Sequence, residues 1–362
     1  MTDMTQKGPR PQIVYGVETE DMRLFDGSSE MSCPLCGSSV ATPISETPYT
    51  EIWSNLYVEW GALITDAVKV SHSLAPVVKL QECSACHLWY FSPAIPGSPQ
   101  FYSEITTSFP HYYSDHKWEF DYVKGLLKNN HKVLDVACGK GAFLRLISGA
   151  VDTTIGIDTN PDAVSGGNEA KLRIYNRSVE EFSAERGEEF DLVSAFQIIE
   201  HLESVIPFVS AAYRCVKPGG ILALSVPNRA RVKDSSFGSL DYPPHHISRW
   251  AENQLAMVAK LLDAELVSIV KEPPSRSQAM GALRSKHLPE LLPFGFAGRD
   301  YIFRVVSHLA LTFPLSWVWD KLKMAERLGM YGMSMIAIIR KPLARPQNVK
   351  ESTPRVSTAV EG

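Results

Sequence analysis

Val133-Leu134-Asp135-Val136-Ala137-Cys138-Gly139-Lys140-Gly141-Ala142-Phe143 is the stretch on which the fold turns. Residues 132–137 form a short apolar run that reads as a buried strand, and residues 142–148 open a helix. Between them Gly139 and Gly141 make a tight strand-to-helix turn. Glycine there lets backbone approach a ligand, and the helix start presents free N–H groups. A dinucleotide fingerprint would need a third glycine three residues past Gly141. Leu144 stands there, which disfavours NAD.

Downstream the pattern alternates. Residues 153–158 read as a strand, and Pro161 opens a helix where its missing N–H costs nothing. Residues 172–175 and 190–196 read as strands. A helix from about Ser204 stops before Lys217-Pro218-Gly219-Gly220, a turn signal, and residues 221–226 form the next strand. Continuous apolar strands separated by helices imply an α/β fold with a doubly wound, mostly parallel sheet covered on both faces. Residues 265–270 and 333–339 read as a final antiparallel pair. The aromatic-rich residues 275–330 between them read as a helical insertion.

Asp158 ends the second strand, 23 residues past Asp135. In a doubly wound sheet its carboxylate lies beside the glycine turn, where it can accept hydrogen bonds from both hydroxyls of a ribose. The plainer reading of Asp158 is a helix cap before Pro161.

Four blocks in order resemble class I S-adenosylmethionine-dependent methyltransferases. They are residues 133–143, Ile155-Gly156-Ile157-Asp158, Phe190-Asp191-Leu192-Val193 leading to Ile199-Glu200-His201-Leu202, and Val216-Lys217-Pro218-Gly219-Gly220. The resemblance implies a Rossmann-like, seven-stranded sheet and S-adenosylmethionine as cofactor. It implies that Asp135, Ala137, Gly139 and Gly141 line the methionine end, that Asp158 holds the ribose, and that Thr159 flanks the adenosine with Asn160. Ser178 and Val179 fall at the adenine, and Phe196 and Gln197 near the reactive methyl. Ala137 stands where many members carry glycine, and Ser178 where an acidic residue is common.

Cys33-Pro34-Leu35-Cys36 and Cys83-Ser84-Ala85-Cys86 are two Cys-x-x-Cys knuckles separated by 46 residues. In a reducing compartment such pairs bind metal more often than they form disulfides, and each knuckle offers two thiolates on one loop. We therefore expect Zn2+ on Cys33, Cys36, Cys83 and Cys86, with His72 and His87 as spare candidates. Residues 31–92 contain two lysines, no arginine and five acidic side chains, the wrong balance for neutralising phosphates. No nucleic-acid partner is expected. Methyltransferases with a zinc ribbon in front are similar over this region too, including Trp89-Tyr90-Phe91-Ser92-Pro93, Phe101-Tyr102 and Tyr112-Tyr113. Relatives of that kind act on sugars, nucleotide-linked sugars and natural-product scaffolds.

The 362 residues, of net charge −4, divide into a loose start (1–30), a zinc-ribbon-like domain (31–99), an aromatic connecting segment (100–130), a methyltransferase domain (131–342) and a loose tail (343–362). Residues 1–30 lack the apolar run of a signal peptide, and the apolar stretch 305–318 is too short to span a bilayer. A cytoplasmic protein is expected. The stripe around Phe303, Leu309, Phe313, Trp317 and Trp319 reads as core, a substrate lid or a peripheral membrane contact.

A base is needed if the acceptor must lose a proton. His201, His245, His246 and Tyr113, with Tyr112 beside it, are the candidates, since all follow strands at the ligand-binding edge or could close over it. The Asn/Asp-Pro-Pro-aromatic turn of adenine and glutamine N-methyltransferases is replaced by Phe196-Gln197-Ile198-Ile199. Neither Cys138 nor Cys215 has the proline partner of a pyrimidine C5-methyltransferase. Methyl transfer to a small-molecule acceptor, most simply a sugar or secondary-metabolite scaffold, is the leading expectation. An RNA-modifying enzyme with the ribbon as reader, and a non-catalytic binding scaffold, are the alternatives.

Overall fold

The computed structural model describes residues 31–109, 112, 115–161, 164–165, 172–231, 238–274 and 331–343. The expected loose start, nearly all of the tail, the 275–330 insertion with its apolar stripe, and Tyr113 lie outside the described residues.

The front of the chain contains β1 (Ala41–Pro48), α1 (Tyr49–Trp60), α2 (Asp66–His72), β2 (Val77–Cys83) and β3 (Trp89–Ser92). Helix α1 ends at Gly61, whose left-handed φ of +67 lets its N–H close back onto the Leu56 and Tyr57 carbonyls. Two connecting helices follow, α3 (Pro99–Ser108) and α4 (Trp118–Lys124). Helix α3 starts where sequence rules put a start. Ser98 caps it by accepting the Phe101 N–H at 3.2 Å, and Pro99 fills the first turn.

Then come β4 (Lys132–Val136), α5 (Ala142–Ile147), β5 (Thr153–Asp158), β6 (Ile174–Asn176), α6 (Val179–Glu185), β7 (Phe190–Phe196), α7 (Val205–Cys215), β8 (Val216–Pro227), β9 (Ser248–Arg249), α8 (Glu252–Leu261), β10 (Glu265–Lys271) and β11 (Ser334–Arg340). Seven strands form one sheet in the order β10-β11-β8-β7-β4-β5-β6. The five strands β4 to β8 are parallel, and β11 and β10 are antiparallel. This is the Rossmann-like α/β fold expected of a methyltransferase.

The strands are apolar throughout because both faces are covered. Leu134, Val136, Val193, Ala195, Leu222, Leu224, Met335 and Ala337 pack into one core. Their neighbours Val133, Leu192, Ala223, Ile336 and Ile338 pack into the opposite one. That alternation is the two-residue period of a pleated strand. Helix α7 buries Val205, Val209, Ala212 and Cys215, a stripe of helical spacing.

One turn signal is realised differently. Residues 217–220 do not separate α7 from the strand; β8 begins directly at Val216. Phe190 pairs with Val216 and Leu192 already pairs with Ile221, so the four residues bulge out of the ladder. Gly219 carries the required left-handed φ of +80.

The front sheet has the order β1-β2-β3-β9, so its fourth strand comes from beyond the parallel sheet. Trp89 pairs with Arg249 and Tyr90 with Ser248. The knuckles share the main core: Cys33, Leu35, Cys83, Cys86, Leu88 and Tyr90 pack with Leu134, Val205 and Trp250. Among the described residues no helix is long and apolar enough to cross a membrane.

Candidate active site

The glycine turn sits at the carboxyl ends of β4 and β5, the edge where open α/β sheets bind ligands. Asp135 is 2% exposed and accepts a 2.7 Å hydrogen bond from the Ser194 hydroxyl on the neighbouring strand. Burial pushes its carboxyl up to about 7, with the Ser194 bond opposing. Ala137, Gly139 and Gly141 hold left-handed φ values of +54, +53 and +75. The glycines do so without strain. Ala137 does not escape it, which shows how firmly the turn is held.

Asp158 stitches the turn to the next strand. Its Oδ2 accepts the Gly139 N–H and its Oδ1 the Asn160 N–H, both at 2.8 Å. Burial raises its pKa. The capping role foreseen as the plainer reading is thus present. It is compatible with a ligand, because an ionised carboxylate has about four lone-pair positions and only two are used. A Cβ built on Gly139 would meet nothing within 4 Å, so space lies open over the turn. Thr159 is exposed at the end of β5. Ser178 caps α6 in a reciprocal box with Glu181, and Val179 is buried behind it. The Ser178 hydroxyl is committed to that cap.

Phe196 is buried beside Phe143 of α5, the helix that follows the turn. Its ring packs with Phe120 and Phe143 at centroid distances of 4.9 and 5.0 Å. Gln197, at a left-handed φ of +54, does face polar groups. Its amide donates to Glu119 Oε1 and Ser225 Oγ, each at 3.2 Å. Sequence reading missed Glu119. It is buried, with its pKa raised by that burial. Lys117 was also missed, yet its positive charge acts on Asp135, Glu119, Glu200 and His201 together. The only hint was their place in the aromatic connecting segment.

His201, His245 and His246 come together. Their ring centroids lie 4.2 to 4.9 Å apart, and a nitrogen of each lies within 4.8 Å of the others. His201 is drawn down to about 3, by burial first and by His245 second. Burial and His246 likewise hold His245 well below the usual histidine range. His245 Nδ1 lies 2.7 Å from the Leu240 carbonyl and so donates to it, which leaves Nε2 as an acceptor. The Tyr112 hydroxyl donates to that Nε2 at 2.5 Å. Tyr102, quoted in the sequence only as part of a pair, places its hydroxyl 3.0 Å from His201 Nδ1.

The four knuckle cysteines converge within 4.8 Å, with Cys33–Cys86 and Cys36–Cys83 sulfur pairs at 3.5 Å. A tetrahedral zinc with Zn–S bonds of about 2.3 Å has sulfurs about 3.8 Å apart, so the set fits the metal. None of the cysteines is in a disulfide. His72 is no ligand: its Nδ1 bonds the Val68 carbonyl at 2.8 Å and its Nε2 accepts the Ser98 N–H at 3.0 Å. His87 pairs instead with Glu82 at 3.0 Å.

A family model described as a methyltransferase domain matches residues 113–269. A ubiquinone biosynthesis O-methyltransferase of Thiobacillus denitrificans is 35% identical over 107 residues, 27% of this chain and 45% of that protein. One of Azorhizobium caulinodans is 32% identical over 133 residues, 35% of this chain and 49% of that protein. The chain thus spans about half the length of these curated relatives. A solved SAM-dependent methyltransferase of Archaeoglobus fulgidus aligns with 61% of this chain and 94% of its own, at 21% identity and a TM-score of 0.42.

Proposed function

We propose that the protein, whose residues 113–269 match a methyltransferase-domain family model, transfers a methyl group from S-adenosylmethionine to a small-molecule acceptor, of the sugar, nucleotide-linked sugar or secondary-metabolite kind. One observation carries the reading: the Asp158 carboxylate closes the Gly139 turn at the open edge of the parallel sheet. Asp135, Ala137, Gly139 and Gly141 would hold the methionine end, Asp158 and Thr159 the ribose, and Val179 with the Ser178 backbone the adenine. Gln197 would reach toward the acceptor side, whereas the inward packing of Phe196 leaves only its backbone for a ligand.

When bound, the cofactor supplies an electrophilic methyl on a sulfonium that is already a good leaving group. The chain's task is therefore positioning, worth up to roughly 7–11 kcal/mol, and acceptance of a proton. The proton-accepting pair is His245 with Tyr112. The Nδ1 bond to Leu240 keeps the imidazole neutral with its Nε2 lone pair turned to a hydroxyl, the chemistry an acceptor hydroxyl would meet. Tyr102 and Tyr112 offer aromatic faces and hydroxyls, a lining suited to a hydroxylated ring. The names of the relatives support oxygen as the accepting atom.

The knuckle cysteines would hold a structural zinc that ties the front sheet to the main core. Six thiols without a disulfide suit a cytoplasmic, reducing setting.

The test is two-part. Calorimetry with S-adenosylhomocysteine should show stoichiometric binding to the full chain. Incubation with labelled S-adenosylmethionine and cell extract should then place label in a small, hydroxyl-bearing product. No binding by folded protein ends the enzyme reading; label confined to RNA overturns the acceptor class.

A further inference from the structure

Glu200 presents an anomaly. It is 0% exposed, and neither carboxylate oxygen has a hydrogen-bond partner. A buried, unpaired acid is costly, and such a group needs an explanation. Two histidines face it. Its Oε1 lies 3.8 Å from His201 Nε2 and 3.9 Å from His246 Nε2. These gaps are too long for hydrogen bonds.

A polar group stands behind each ring. His201 Nδ1 lies 2.5 Å from the His245 carbonyl, to which it donates. His246 Nδ1 faces Asp241 Oδ1 at 3.8 Å, and Asp241 is itself held by Arg231 and by the Gly238 N–H. An imidazole whose Nδ1–H is turned to a carbonyl or carboxylate presents Nε2 as a bare lone pair. That is the outer arrangement that supports metal-ligating histidines. Two ring nitrogens thus flank one carboxylate oxygen, neither within hydrogen-bond distance of it. A cation about 2.0–2.2 Å from Oε1 and from each Nε2, the bond length for nitrogen and oxygen ligands of a divalent transition metal, would bridge gaps of 3.8–3.9 Å.

The frame is rigid. The Glu200 carbonyl accepts the Ile247 N–H at 3.0 Å and the Ser248 hydroxyl at 3.3 Å, which locks the segment carrying Glu200 and His201 to the one carrying His246.

We propose that His201, His246 and Glu200 form a second metal site, separate from the knuckle cysteines, that takes a divalent transition-metal ion. Imidazole and carboxylate together suit zinc, iron(II), manganese or cobalt rather than a soft thiolate-seeking ion. The proposal stands whether or not the methyl-transfer reading does.

The probe is cobalt(II) alone, titrated into the full chain after its knuckle site has been loaded with zinc. The expected result is one saturable equivalent, with visible absorption that lacks a sulfur-to-cobalt charge-transfer band. Glu200→Gln and His246→Asn should each weaken it by about 100-fold or more, and Asp241→Asn by about 10–100-fold. Elemental analysis should show knuckle zinc unchanged in each variant, and thermal melts should show each one folded. Absence of a second equivalent in the wild type would overturn the proposal. So would cobalt bound with a thiolate band, or wild-type affinity in folded Glu200→Gln and His246→Asn proteins.

Discussion

Asp158 Oδ2 accepts the backbone N–H of Gly139 at 2.8 Å, so a carboxylate on one strand holds the glycine turn of its neighbour. The bond shapes the turn, and the proposed ribose role would give Asp158 a second duty. Hydrogen bonds to a charged group are each worth about 1.5–3 kcal/mol. Asp158→Ala should therefore cost about 1–3 kcal/mol of stability and weaken S-adenosylhomocysteine by roughly 100-fold or more. Asp158→Asn, which keeps one acceptor oxygen, should fall between. Equal affinity in wild type and Ala variant, read by calorimetry, would remove the ribose role.

The two turn glycines should respond differently to alanine. At Gly141 a Cβ would lie 2.5 Å from Leu172 Cδ1 and 2.9 Å from Ile174 Cδ1, on a φ of +75. Strain and overpacking together should cost about 2–4 kcal/mol. Gly139→Ala meets no atom within 4 Å and should cost only about 1–2 kcal/mol. It should still impair cofactor binding, because the methyl occupies the open space over the turn. Denaturant unfolding beside calorimetry separates the two effects.

Cofactor affinity should depend on pH through Asp135. Its folded-state pKa is raised to about 7, chiefly by burial. Below pH 7 the side chain is neutral, and above it the carboxylate can pair with the ligand's ammonium group. The Kd for S-adenosylhomocysteine should fall by up to about tenfold between pH 6 and pH 8, one pH unit of linkage being about 1.4 kcal/mol. Asp135→Asn should flatten that slope; an equally steep slope in the variant would assign it elsewhere.

Tyr112→Phe and His245→Asn test the proton-accepting pair. Each should lower kcat by about 100- to 10,000-fold while S-adenosylhomocysteine affinity is kept. Unchanged kcat in both, measured once an acceptor is in hand, would discard the pair.

Removing metal from the knuckles should loosen the front. Cys86→Ser should lose one zinc per chain and lower the melting midpoint by several degrees, since Cys86 anchors both the sulfur cluster and, through its carbonyl, the Gln254 amide at 2.7 Å. Wild-type protein holding far less than one zinc per chain would remove the metal.

Much of this molecule was readable from neighbouring residues. The Gly139–Gly141 turn, the Ser98–Pro99 helix start, the two-residue period of the strands and the paired cysteines all depend on backbone preferences or ligand chemistry that act over a few positions. The α/β class and the parallel core followed from them. Tertiary packing decided the rest. Tyr112 meets His245 across 133 residues, Glu119 joins Gln197 across 78, and Ser248–Arg249 leave the main sheet to complete the front one. Nothing local marks such contacts, because register and burial are set by which surfaces exclude water together. The same burial leaves both carboxylate oxygens of Glu200 without a hydrogen-bond partner, and so makes an ordinary-looking acid the most telling residue of the site.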